Sequence, residues 1–278
     1  FSVCFFESEL GAVVFGVFSK EIRKIPIKLH PHKKANQVLE MSEKMQESDP
    51  ALITFTTGST GTPKAANRTH GFLKEQFNAL LSEINPTPKD VDLPTLPIVL
   101  FMNLGVGCTS VIADYKIKKP KSISPLYFVN LIEKNKITRL IASPFLVKII
   151  ANHLVENRIH LKSLNKIFTG GAAVFPSEAS LFTLAFPSAI TTIAYGSTEA
   201  EPISSITAQE LALKTHKNQK GLAAGVPFSK AYVRIIALSN QLQHEISDQE
   251  LEKLEVASGQ IGEIIVSGSH VLASYFNN

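Results

Sequence analysis

The chain has 278 residues, 44% hydrophobic and 19% charged, with a formal net charge of +4. That is the balance of an ordinary globular protein, long enough to bury a sizeable core as one large or two smaller domains. The two cysteines, Cys4 and Cys108, are far apart and lack partners at metal spacing, which argues against a disulfide framework and a zinc site and fits a reducing cytoplasm. No apolar stretch approaches the ~18 residues needed to span a bilayer. The longest, near the start, is broken by Glu7, Glu9 and Gly11. The basic clusters around His30–Lys34 and Lys116–Lys121 lack interleaved aromatics, so no nucleic-acid partner is expected.

In chain order, Gly11–Phe18 reads as a strand, Gln37–Glu47 as a polar helix and Ala51–Thr56 as a strand, with a second extended piece at Lys64–Arg68. Gly71–Ile84 carries Phe72, Leu73, Phe77, Leu80, Leu81 and Ile84 on one helical stripe, read as core packing. Phe101, Met102 and Leu104 are read as core, with ligand-pocket lining as the alternative. Val106–Ala113 reads as a strand, with Cys108 a small core residue. Helices are predicted over Pro125–Asn135, Pro144–Val155 and Pro176–Phe186, and strands over Ile137–Ile141, Leu164–Phe168 and Ile190–Ala194. Repeated strand–helix units of this length predict an α/β fold: a mostly parallel sheet with helices on both faces. After Gly221 short strands follow one another at Val226, Tyr232–Ile236 and Glu263–Val266, with Gln241–Leu254 as a charged loop or hairpin. The expected organisation is therefore an α/β part over 1–220 and a smaller β-rich subdomain over 221–278.

Chemistry concentrates in two places. Thr56-Thr57-Gly58-Ser59-Thr60-Gly61-Thr62-Pro63-Lys64 follows the apolar run Ala51–Phe55. Its glycines allow tight turns and close approach of backbone to a ligand. Its threonines and serine supply hydroxyl donors, and Lys64 a cation, a combination suited to a polyphosphate. The Walker A pattern needs glycine directly before the lysine and a hydroxyl residue after it; here two residues separate Gly61 from Lys64 and Ala65 follows. The second place is Ala194-Tyr195-Gly196-Ser197-Thr198-Glu199, after the β-branched run Ile190–Ile193. An aromatic there can stack on a base, Thr198 can donate to a phosphate, and Glu199 can hold Mg²⁺, a cation that prefers oxygen. Between them Phe168-Thr169-Gly170-Gly171-Ala172 ends a strand in small residues, which close strand–helix packing explains as well as ligand contact does. A serine hydrolase is disfavoured, because Gly196-Ser197 lacks the second glycine of a nucleophile elbow. His70, His153 and His160 have no apparent catalytic partners.

The two loops together resemble the acyl-adenylate-forming superfamily of acyl-CoA synthetases, peptide-synthetase adenylation domains and luciferases, with Ala65 standing where that family usually has glycine. Gly262-Glu263-Ile264-Ile265-Val266-Ser267-Gly268 and Tyr275-Phe276-Asn277 are similar to a further, mostly structural family motif, with Ser274 in place of its glycine. Asp92–Pro97, Gly107–Asp114 and Tyr195–Ile203 look most like the β-lactone synthetase of bacterial olefin biosynthesis. The resemblance implies ATP-dependent activation of a carboxylic acid, fatty or β-hydroxy fatty, as acyl-AMP, followed by thioester or β-lactone formation. ATP/AMP and Mg²⁺ would be the cofactors, and CoA or a carrier protein a possible partner. It places Thr56, Thr57, Gly58, Ser59, Thr60, Gly61, Thr62 and Lys64 on the outer phosphates, and Gly170, Gly171, Ala172, Tyr195 and Gly196 beside adenine. Thr198 would meet the α-phosphate and Glu199 the metal, making Lys64, Thr198 and Glu199 the catalytic set. The family's ribose-binding T-G-D motif, its hinge and its mobile C-terminal domain have no counterpart in the chain. The alternative is a non-catalytic nucleotide-binding or interaction module that keeps the fold.

Overall fold

The computed structural model describes residues 3–5, 27–29, 44–56, 64–115, 122–214, 221–238 and 247–276. Gly11–Phe18, most of Gln37–Glu47 and the loop residues Thr57–Thr62 lie outside them; Lys44–Gln46 have no regular structure. The chain divides into two compact units, Phe1–Met45 and Gln46–Asn278. In the first, strands β1 (Val3–Phe5) and β2 (Ile27–Leu29) pair in parallel.

The second unit opens with an antiparallel hairpin of β3 (Pro50–Thr56) and β4 (Lys64–Thr69). Helix α1 (His70–Ile84) follows at once, capped by Thr69, whose hydroxyl accepts from the Phe72 N–H. Then come β5 (Val91–Pro94), α2 (Pro97–Val106), β6 (Thr109–Ser110), α3 (Pro125–Asn135), β7 (Arg139–Ala142), α4 (Pro144–Asn157), β8 (Lys166–Gly170), α5 (Pro176–Ala185) and β9 (Ile190–Tyr195). Ser124 and Ser143 cap α3 and α4, each with proline at the first helical position, as the sequence predicts. The chain continues through β10 (Ser204–Thr207), α6 (Ala208–Leu213), β11 (Val226–Pro227), β12 (Tyr232–Ile236), α7 (Asp248–Leu254) and β13 (Glu263–Ser267).

The main sheet has the order β11-β10-β9-β8-β7-β5-β6. Strands β9, β8, β7, β5 and β6 run in parallel, while β10 and β11 add antiparallel edges. Because side chains alternate along a strand, one sheet feeds two cores. Leu140 and Ala142 of β7 and Ile167 of β8 join α3, α4, α5 and α6 through Phe128, Ile150, Phe182 and Leu211. Ile141 and Phe168, one residue out of phase, face α1 and α2 through Leu80, Ile84, Val99 and Met102. Helices thus cover both faces, as the strand–helix repeat predicts. β12 and β13 form a separate antiparallel pair, whose Val233 and Val266 pack beside Ala79 of α1.

Two expectations are corrected. Val106–Ala113 is not one strand: α2 runs through Val106, stops at Gly107 in the left-handed region (φ 72), and only Thr109–Ser110 pair with β5. Proline at the start and glycine just past the end are helix punctuation. The near-continuous apolar composition of α2 hid its period. Gln241–Leu254 is not a plain loop, because Asp248–Leu254 is helical. There the Ser247 hydroxyl accepts from the Glu250 N–H, and Glu250 Oε2 accepts from the Ser247 N–H at 2.9 Å, a capping box. The helix buries no residue, so it carries no apolar stripe to read.

One charged cluster is wholly buried beneath α2. Arg139 and Asp92 are 0% exposed and 3.2 Å apart. Asn103 of α2 donates to Asp92 Oδ2 at 2.6 Å and accepts from Arg139 Nη2 at 3.1 Å. Burial pushes the Asp92 carboxyl above its ordinary value, against the pull of the Arg139 charge and of the Asn103 donor. Asp90 lies 3.7 Å from Arg139. Burial also disfavours its charge, but bonds from the Thr87 N–H, from the Thr87 and Thr138 hydroxyls, and the Arg139 charge outweigh it and hold the group low. The cluster locks α2 to β5 and β7. Arg139→Met, which strands the Asp92 charge, is expected to cost about 3–5 kcal/mol in urea denaturation. Arg139→Met/Asp92→Leu together is expected to cost less than Arg139→Met alone.

Candidate active site

The site is built at the carboxyl ends of β8 and β9, the edge where open α/β sheets bind ligands. The two strands are paired from Lys166↔Ile190 to Gly170↔Ala194, so the residues that follow them, Gly171 and Tyr195, leave the sheet side by side. Gly170 has no room for a side chain: a Cβ there would lie 2.6 Å from the Ala194 carbonyl oxygen. Gly171 takes φ +80 and faces open space. Ala172 is exposed and Tyr195 is 42% exposed. After Gly196 the chain closes a tight turn in which the Ser197 N–H donates to the Ala200 carbonyl at 2.8 Å, which carries Thr198 and Glu199 out of the sheet.

The phosphate-type loop is anchored at both ends, because Thr56 pairs with Lys64 across the β3–β4 hairpin. Thr57, Gly58, Ser59, Thr60, Gly61 and Thr62 themselves lie outside the described residues. Lys64 is exposed, with its Nζ 5.0 Å from the centroid of the Tyr275 ring, within cation–π range. Four residues on, Arg68 is buried and donates from Nη2 to the Thr198 carbonyl at 3.2 Å.

A third segment, close to the C-terminal end, joins the first two. The Phe276 N–H donates to the Ala65 carbonyl at 2.6 Å and Tyr275 bridges Ala66. The Leu272 N–H donates to the Glu199 carbonyl at 2.6 Å and Val271 bridges Ala200. Across this seam the Tyr275 hydroxyl donates to Glu199 Oε1 at 2.8 Å. Burial works to raise the Glu199 pKa, but bonds from Tyr275, from its own N–H and from Ser197, together with the Lys64 charge, outweigh it and hold the carboxyl below its ordinary value. The Tyr275 phenol is pushed up, first by that hydrogen bond, then by burial and by the Glu199 charge.

Two cavities meet here. One, about 490 Å³, is walled by Arg68, Leu96, Phe168, Thr198 and Glu201. The other, about 550 Å³, is walled by Ala172, Ala173, Ile206, Leu211 and Leu222. Both include Gly171, Ala194, Tyr195 and Gly196, which form the ridge between them. Burial pushes the Glu201 carboxyl up, against the pull of Arg68. Among the described residues no group of three or more His, Cys, Asp or Glu could hold a metal. A single ionised carboxylate such as Glu199 fits Mg²⁺ brought in on phosphate oxygens, since that ion usually takes one or two carboxylates plus substrate phosphates and water.

Lys64, Tyr195, Thr198 and Glu199 are therefore brought to one edge of the sheet, with Gly170, Gly171 and Ala172 beside them. Tyr275 and Arg68 were not foreseen as part of this cluster. Tyr275 sits in a motif read as structural, and its partners are distant in sequence. Arg68 had a signal: it occupies an inward position of β4, whose burial alternates with Ala66 and Arg68 inside. Of the residues read as core in α2, Met102 is 1% exposed, but Phe101 is 69% and Leu104 70% exposed, so those two are corrected. Cys108 is buried, as expected, and its thiol donates to the Asp90 carbonyl.

Removing the Tyr275 hydroxyl tests the seam. Because the folded-state pKa of Glu199 is depressed, its stabilisation is present above about pH 4.5 and is lost as pH falls through the folded value. Tyr275→Phe is expected to cost about 1 kcal/mol at pH 7 and markedly less near pH 3, read by chemical denaturation at both pH values.

Comparison with known proteins agrees with this architecture. Residues 13–276 match the family model described as AMP-binding enzyme. The olefin beta-lactone synthetase of Stenotrophomonas maltophilia is 30% identical over 232 residues, 82% of this chain and 41% of that protein. A feruloyl-CoA synthase from Amycolatopsis is 29% identical over 233 residues, 82% of this chain and 43% of that one. The chain thus spans about two fifths of the length of these relatives. Among solved structures, McyG A-PCP complexed with phenylalanyl-adenylate superimposes with a TM-score of 0.75 at 20% identity, over 99% of this chain and 44% of that one. The amide bond synthetase McbA from Marinactinospora thermotolerans gives 0.71 at 20% identity, over 99% and 53%. At these identities the structures show a shared fold. With a family match running almost end to end over a sheet edge that gathers Lys64, Tyr195, Thr198 and Glu199, the chain belongs to the AMP-binding enzyme family.

Proposed function

We propose that the protein of which this chain is part activates a carboxylic acid with ATP, forming acyl-AMP and releasing pyrophosphate. The observation that carries this reading is the seam at Tyr275, which holds Lys64 near Glu199 at the edge where β8 and β9 end. Family membership and the names of the relatives support it.

Two anions must meet in this reaction, so the protein has to supply positive charge and oriented donors, and no side-chain nucleophile is required. The substrate carboxylate attacks the α-phosphorus, a P–O bond forms, and the bond to the departing pyrophosphate breaks. Lys64, with Thr56, Thr57, Gly58, Ser59, Thr60, Gly61 and Thr62, holds the β- and γ-phosphates. Gly170, Gly171, Ala172, Tyr195 and Gly196 border adenine in the cavity of about 550 Å³. Thr198 meets the α-phosphate. The acyl group occupies the cavity of about 490 Å³ across the ridge, which brings the carboxylate to the same point. Glu199, kept ionised by Tyr275, is the protein's ligand for Mg²⁺. That ion would neutralise charge on the phosphate oxygens. Fatty and β-hydroxy fatty acids are the proposed substrates, and CoA, a carrier protein or lactone closure the proposed second step. Among the described residues no helix is long and apolar enough to cross a membrane.

Isotope exchange between ATP and pyrophosphate, run over fatty, β-hydroxy and amino acids, tests the proposal. Glu199→Ala is expected to keep the fold, by circular dichroism and melting, and to lower Mg²⁺-dependent exchange by about 100-fold or more. Normal exchange in that variant would remove Glu199 from the reaction. Nucleotide affinity with no exchange for any acid would favour the non-catalytic module.

A further inference from the structure

A third cavity, of about 520 Å³, lies against the acyl cavity, and Arg68, Leu80 and Ile98 are walls of both. Its remaining lining is largely apolar, including Leu73, Phe77, Phe101 and Met102. Set into it are three polar side chains. Arg68 is 8% and Gln76 1% exposed, and Thr54 is half-buried. Arg68 Nη1 donates to Gln76 Oε1 at 3.4 Å and Nη2 to the Thr198 carbonyl at 3.2 Å. That leaves Arg68 Nε, Gln76 Nε2 and Thr54 Oγ1 buried with no hydrogen-bond partner among the described residues. Nor does any described carboxylate come within 4.0 Å of the guanidinium, in contrast to Arg139. Unpaired donors of this kind are costly unless something accepts from them. Three converging on one cavity are the geometry of a site for an oxygen acceptor in an apolar surround.

We propose that Thr54, Arg68 and Gln76 form a specificity subsite that selects acids bearing an oxygen substituent close to the carboxylate. Arg68 Nε and Gln76 Nε2 donate to that oxygen, and the Thr54 hydroxyl either donates to it or accepts from a substrate hydroxyl. The position of the substituent follows from Arg68: its Nη2 is bonded to the carbonyl of Thr198, so its free Nε lies near the reacting end of the acid. The inference rests on the adenylation reading for where the carboxylate sits.

The test is direct binding by calorimetry, without nucleotide, of decanoate, 3-hydroxydecanoate and 10-hydroxydecanoate to this chain. The 3-hydroxy acid is expected to bind about tenfold or more tightly than decanoate, and the 10-hydroxy acid no better than decanoate. Arg68 also ties β4 to the Thr198 loop, so Arg68→Met tests folding as well as binding. Gln76→Leu and Thr54→Val are therefore the informative variants: each should lower the preference for the 3-hydroxy acid several-fold and leave decanoate affinity and melting temperature within error. Equal affinity for all three acids, preference for the 10-hydroxy acid alone, or no binding of any acid would overturn the subsite. A selective 3-hydroxy acid site in a protein with no ATP–pyrophosphate exchange would instead overturn the adenylation reading and leave the subsite standing.

Discussion

The hydrogen bond from Tyr275 to Glu199 is the constraint on which the site's geometry depends. It couples three segments that come from opposite ends of the unit: the hairpin that presents Lys64, the turn that presents Glu199, and the strand-like run at 271–276. Backbone bonds on either side of it set the spacing, and the side-chain bond sets the charge. A glutamate at this position would be drawn toward neutrality by burial. The donor on Tyr275 and the cation on Lys64 reverse that balance. The same contact therefore holds the parts in place and keeps a carboxylate ionised.

Around that seam the parallel sheet does the positioning. Paired strands β8 and β9 end at one level, which sets two small-residue turns side by side. Gly170 is required because β9 passes too close for a side chain, and the backbone beyond it becomes part of a ridge between two cavities. A nucleotide and an acid that must react need this arrangement, with separate compartments sharing one boundary. Proximity of that kind lowers the barrier without any group on the protein reacting covalently.

Two arginines show how charge is handled in the interior. Arg139 is fully enclosed and answered by Asp92, Asp90 and Asn103, so its function is to lock a helix to the sheet. Arg68 is nearly as buried and is answered only by neutral acceptors. The first is a closed network. The second has donor capacity left over, and it borders the cavity assigned to the acid. Buried polar atoms without partners are rare in folded proteins, so a cluster of them beside a cavity marks a place where a ligand completes the bonding.

The strand–helix alternation, the helix starts at Ser124-Pro125 and Ser143-Pro144, and the two loops at Thr56–Lys64 and Tyr195–Glu199 were legible in the residue order, because periodicity, capping and turn chemistry act between near neighbours. Helix α2 was not legible, since its nearly uniform apolar composition carries no period, and neither was α7, which buries nothing. What the order of residues determined by itself was the fold class and the chemical character of the two loops. What only the tertiary structure decided was which distant groups complete them. Tyr275 reaches Glu199 from 76 positions away and Arg68 reaches Thr198 from 130, contacts that depend on how the sheet and its edges bring the chain back upon itself rather than on any local preference.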